Sequence, residues 1–85
     1  MIKTLCTESV IIERSETNFD KACDESRRMA FILFGINDDG HSYKLKEWSR
    51  SSSWIEVEFK SFISNGYNYT YIFDATAKLN IEDEE

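Results

Sequence analysis

The chain has no proline, three glycines (Gly35, Gly40 and Gly66) and two cysteines in 85 residues. Without proline, and with nothing more biased than the serine cluster Ser49 to Ser53, it contains no segment built as a linker. Cys6 and Cys23 are too few for a disulfide framework and are not spaced as metal ligands, so both are expected as small buried hydrophobes with free thiols. The one histidine, His41, has no cysteine near it in sequence to form a nucleophile–base pair. A phosphate-binding glycine loop is missing. Asp38 and Asp39 share a short turn, which is not a calcium loop, since the ligands of such a loop spread over about 12 residues. Together these absences predict no catalytic residue, no metal site and no cofactor. The chain is expected not to be an enzyme and to act by binding.

Positive charge is also scarce. Sixteen acids stand against ten bases, giving a formal charge of −6 and a pI near 4.7. The bases are scattered, with Arg27–Arg28 the one adjacent pair, whereas a protein that grips phosphates carries a basic patch. Direct nucleic-acid binding is therefore not expected. An acidic protein suits a protein partner with a basic surface, including a surface built to hold DNA or RNA. Met1 to Glu8 has no long apolar core, so neither a secretion signal nor a membrane span is expected, and the expected location is cytoplasmic.

The hydrophobic fraction of 41% and aromatic fraction of 14% are those of a chain that folds. The expectation is one α+β domain over residues 1–81, as monomer or homodimer, with a frayed acidic tail over 82–85. Residues 4–13, with Val10-Ile11-Ile12, predict a strand. A helix is predicted over 17–28, capped by Ser15 or Thr17, with Phe19, Ala22, Cys23 and Ser26 on one face. The apolar run 30–36 reads as a buried strand, Asn37 to Gly40 as a turn, and 41–48 as the returning strand of a hairpin. Residues 54–63 support two readings. Ile55, Val57 and Phe59 alternate with Glu56, Glu58 and Lys60 as in a strand, but the alternation breaks at Ser61–Phe62. The stripe Ile55, Phe59, Phe62, Ile63 and a capping box at Ser53 fit a helix, which is the reading adopted. Tyr67 to Phe73 alternates cleanly and predicts a strand. The resulting order is β-α-β-β-α-β, with two helices on a small antiparallel sheet.

Two features are candidates for contact with a partner. One is the acidic set, above all Asp38 and Asp39 in the turn and Glu56 and Glu58 beyond it, which are expected to imitate phosphates. The other is the row Tyr67, Tyr69 and Tyr71, since tyrosine combines apolar area with a hydroxyl and anchors interfaces. The segment Ile36-Asn37-Asp38-Asp39-Gly40-His41-Ser42-Tyr43, followed by Phe62-Ile63-Ser64-Asn65-Gly66-Tyr67, resembles the hairpin and helix end of small prophage-encoded inhibitors of a CRISPR effector nuclease. The resemblance covers about a third of the chain. It implies that acids in this region fill a DNA-reading pocket. By position only Asp38 and Asp39 carry over, because the acid-rich stretch after the helix in those inhibitors is here Tyr67 to Phe73. The wider class of small acidic phage and mobile-element inhibitors, of the anti-CRISPR type, is the better fit. The expected function is thus inhibition of a nucleic-acid-handling host protein. The alternatives are an immunity protein that neutralises a nuclease toxin, or a small structural or regulatory interaction subunit.

Overall fold

The computed structural model describes residues 1–81, and the expected tail 82–85 lies outside the described residues. The fold is α+β, with strand β1 (Ile2–Arg14), helix α1 (Phe19–Leu33), and strands β2 (Ser53–Ser64) and β3 (Tyr69–Asn80). The sheet is antiparallel in the order β1-β3-β2. Both β1 and β2 run antiparallel to β3, so they are parallel to one another, and the chain crosses from one to the other over the sheet. This is a split β-α-β arrangement closed by a hairpin.

Alternation along the strands decides which face is covered. Val10 and Ile12 on β1, Tyr71, Phe73, Ala75 and Ala77 on β3, and Ile55 on β2 are buried in register, with Val10 opposite Phe73 and Ile55 opposite Ala77. Their neighbours Ser9, Ile11 and Glu13, Asp74, Thr76 and Lys78, and Glu56 and Glu58 point to the other face. Helix α1 lays Ala22, Ser26 and Ala30, one residue every four, onto the covered face. The helix is much shorter than the strands. The rest of that face is covered by residues 34–52, whose Phe34, Ile36, Leu45 and Trp48 join the same core.

Asn18 starts α1, its side chain accepting the Lys21 amide at 3.0 Å. Its own N–H donates to the Tyr71 hydroxyl at 3.1 Å, which ties the helix start to the central strand. The capping residue is therefore Asn18, not Ser15 or Thr17. The end at Phe34 is a Schellman motif: the Gly35 N–H donates to Ile32 and the Ile36 N–H to Phe31. Gly35 stands at φ +69°, and a Cβ there would lie 2.8 Å from Lys44 Cγ and 3.1 Å from the Tyr43 ring. Gly35→Ala is expected to cost the left-handed penalty of about 1–2 kcal/mol plus that collision. At Gly66, φ +92°, nothing lies within 4 Å, so Gly66→Ala should incur the backbone penalty alone. Denaturant midpoints for the two variants test the difference.

Several expectations are corrected. The run 30–36 is not a strand: Ala30 to Leu33 complete α1, because the stripe Ala22–Ser26–Ala30 continues unbroken into them. Residues 41–48 are not a strand either. Of the expected hairpin there remains the turn Asn37–Gly40 and a single bridge, Ile36 to Ser42. Residues 54–63 are strand β2, not a helix. Phe59 pairs with Phe73 and Ser61 with Ile72, so Lys60 is a bulge residue, and the bulge is what breaks the alternation. Asn65 and Gly66 then make a hairpin turn, with the Asn65 side chain accepting the Asn68 N–H. The last strand runs on to Asn80, and the second helix of the expected order does not form.

Candidate functional site

The structure separates the predicted acids. Asp38 and Asp39 sit in the turn of the 34–52 segment, on the helix side of the sheet. That turn is held by four hydrogen bonds. Gly40 N–H donates to Asn37 O at 2.9 Å and Asn37 N–H to His41 O at 2.7 Å. His41 N–H donates to Asp39 Oδ1 at 3.1 Å, and Trp48 Nε1 to Gly40 O at 2.9 Å. Both carboxylates are exposed, and neither forms an ion pair with another described residue.

Glu56 and Glu58 lie on the opposite, bare face, beside Asp74, which sequence reasoning did not single out. It alternates with buried Phe73 along β3, and that alternation was the signal available. These carboxylates line a shallow groove with Thr76 and Lys78. They are countered from within: Lys78 Nζ is 2.5 Å from Glu56, and Lys60 Nζ is 3.3 Å from Glu58 and 3.8 Å from Asp74. The hydrogen bond from Lys78 holds the Glu56 carboxyl below its ordinary pKa, so Glu56 remains charged somewhat further into acid. Aliphatic Ile11 and Ile63 are exposed on the same face.

The tyrosines divide as well. Tyr71 belongs to the core and Tyr69 packs against it, so the row is mostly spent on folding. Tyr67 is outside β3, at the hairpin tip, and 90% exposed. Three exposed aromatic side chains gather instead along the β2 edge, Phe19, Phe59 and Phe62, at 48%, 42% and 44% exposure, while Tyr43 at 72% and Phe31 at 38% are exposed elsewhere. Phe59 meets Phe19 edge-on at 5.2 Å between centroids, and Phe62 stacks on Tyr69 at 5.8 Å. Phe59 and Phe62 belong to one face only because the bulge lies between them.

Among the described residues no group of three or more His, Cys, Asp and Glu side chains is placed to hold a metal ion. No described helix is long and apolar enough to cross a membrane. Cys6 and Cys23 are free thiols. Partial burial pushes both pKa values up, helped by Glu8 at Cys6 and by Asp20 and Asp24 at Cys23. Less thiolate is therefore present at neutral pH than for an ordinary cysteine. Native protein should react slowly with a thiol reagent near pH 7, and denatured, unreduced protein should titrate two thiols; a count near zero contradicts this.

Comparison with protein-family models, with curated proteins and with solved structures gives no match.

Proposed function

We propose that the protein is a non-enzymatic inhibitor of phage or mobile-element type. In this reading it occupies a basic, nucleic-acid-binding groove of a host protein with carboxylates in the place of phosphates. The observation that supports this reading is the Asp38–Asp39 turn. Two exposed carboxylates, neither in an ion pair with another described residue, are carried on a turn held by four hydrogen bonds. A charge-assisted hydrogen bond to a partner Arg or Lys is about twice as strong as a neutral one. A pre-formed turn also loses little freedom on docking. Glu56, Glu58 and Asp74 are second in rank, because a partner must displace Lys60 and Lys78 to reach them.

The test begins with affinity capture from host cytosol, followed by competition between this protein and a labelled nucleic acid for the captured partner. Asp38→Asn with Asp39→Asn is expected to weaken partner binding about tenfold or more, equivalent to roughly 1.4 kcal/mol, without changing the melting temperature. Glu56→Gln with Glu58→Gln should weaken it less, and both effects should shrink as salt rises. A partner whose nucleic-acid affinity is unchanged by saturating amounts of this protein sinks the reading.

A further inference from the structure

We infer that the β2 edge pairs with the β2 edge of a second copy of this chain, in one register set by the Lys60 bulge. The inference is independent of the inhibitor reading.

β2 is an edge strand, bonded on one side only, so half of its backbone groups present an unused ladder. Beside this edge stand Phe19, Phe59 and Phe62, each close to half exposed. The other edge, β1, carries no aromatic side chain, and its own bulge lies near one end, between Thr4 and Cys6. A self-paired β1 with matched bulges could use only a few residues.

The bulge decides what can pair with β2. Before it, Ile55, Val57 and Phe59 face the helix side; after it, Phe62 and Ser64 do, opposite Tyr71 and Tyr69. Odd residues face the helix before the bulge and even ones after it. A regular strand keeps one alternation throughout, so it matches β2 on one side of Lys60 and has its faces reversed on the other. A second copy carries the same bulge. With the dyad between Phe59 and Lys60, Val57 faces the partner's Phe62, Ile55 the partner's Ser64, Glu58 the partner's Ser61, and Glu56 the partner's Ile63. Each of these four pairs lies on one face in both copies; at the dyad Phe59 stands beside the partner's Lys60, whose ammonium reaches back to Glu58 and Asp74 on the bare face. Residues 55–64 then pair over about 33 Å. The two-fold axis repeats each contact, as in other isologous interfaces.

The result is a continuous sheet in the order β1-β3-β2-β2-β3-β1, with both helices on one side. Val57, Phe59 and Phe62 of the two copies form a single apolar row that extends the two cores. No carboxylate stands directly opposite a carboxylate. The competing register, centred on Val57, sets Glu56 against the partner's Glu58 twice, and like charges directly opposite are unfavourable. It also ends at the bulge and leaves Phe62 unpaired.

Sedimentation equilibrium over a wide concentration range, on the wild-type chain, is expected to give a mass rising to twice 10.0 kDa. Phe62→Lys puts a charge into the paired edge and should raise the dissociation constant about tenfold or more, as for an interface anchor. Its circular dichroism should match the wild type, because Phe62 is half exposed at the end of the strand. The register is tested by oxidation, with Cys6 and Cys23 replaced by serine. Glu58→Cys mixed with Ser61→Cys should form an intermolecular disulfide in high yield, and Glu56→Cys mixed with Glu58→Cys should not. A mass of one chain at every concentration overturns the proposal. A dimer that cross-links through Glu56 and Glu58, or that is unaffected by Phe62→Lys, overturns it equally.

Discussion

Phe73→Ala is expected to remove about 3–5 kcal/mol of stability, a large share of the total for a chain of this length. Phe73 sits in the middle of the central strand, paired with Val10 on one side and Phe59 on the other. It is essentially inaccessible to solvent. Its ring lies 5.8 Å from that of Phe59, 6.2 Å from that of Phe19 and 6.5 Å from that of Tyr71. Truncation removes the transfer free energy of the ring and leaves a cavity that three neighbouring rings cannot close without leaving their own packing. Such changes cost about 3–5 kcal/mol. A domain of this length has a total stability of roughly 4–13 kcal/mol at the usual 0.05–0.15 kcal/mol per residue. Loss of the cooperative transition, or a fall of 3 kcal/mol or more in unfolding free energy, is the expected result. A shift under about 1 kcal/mol would mean that the aromatic cluster is not the centre of the core.

The second large effect has the opposite cause. Ala22, Ser26 and Ala30 on α1 and Ala75 and Ala77 on β3 are without exposure. Small side chains at these positions let the helix layer approach the sheet closely. Ala75→Leu adds three carbons where Cα partners Glu8 and Val57 flank the strand and nothing opens to solvent. Overpacking costs about 1–3 kcal/mol, less than the loss of Phe73 because the helix is able to tilt. Hydrogen exchange should show the loss concentrated in α1, with β1–β3 pairing retained. If Ala75→Leu melts at the wild-type temperature, the two layers are not in tight contact there.

Residues with strong local alternation were legible in the sequence. β1 was read within two residues of its bounds. The start of α1 was placed near Asn18, since several capping residues precede an amphipathic stripe. Alternating aromatic and β-branched residues mark a strand from Tyr67 to Phe73, of which Tyr69 onward is β3 while Tyr67 and Asn68 belong to the hairpin tip. The acidic character and the turn at Asn37–Gly40 were also plain, as both depend on composition and on glycine at positive φ. The α+β class and an antiparallel sheet follow from these elements alone.

What the tertiary structure decided lies where one pattern served two purposes. Ala30 to Ile36 is apolar enough for a buried strand, but the same residues finish a helix when α1 has a sheet to lie on. Gly35 is the stop of that helix, not the end of a strand. In β2 the bulge at Lys60 cancels the period of two and produces a false helical stripe, so the strand was hidden by a feature that exists only in pairing with β3. Ala75 to Leu79 carries almost no hydrophobic signal of its own. It is a strand because it lies between β1 and β2, with ladder bonds on both sides. The candidate sites divide in the same way. That Asp38 and Asp39 would be solvated followed from their turn. That Glu56 would meet Lys78, that Asp74 would stand beside Lys60, that Tyr71 would be buried, and that Phe19, Phe59 and Phe62 would gather at one edge required long-range contacts. Local sequence sets which conformations a segment favours; the partner across the sheet selects among them.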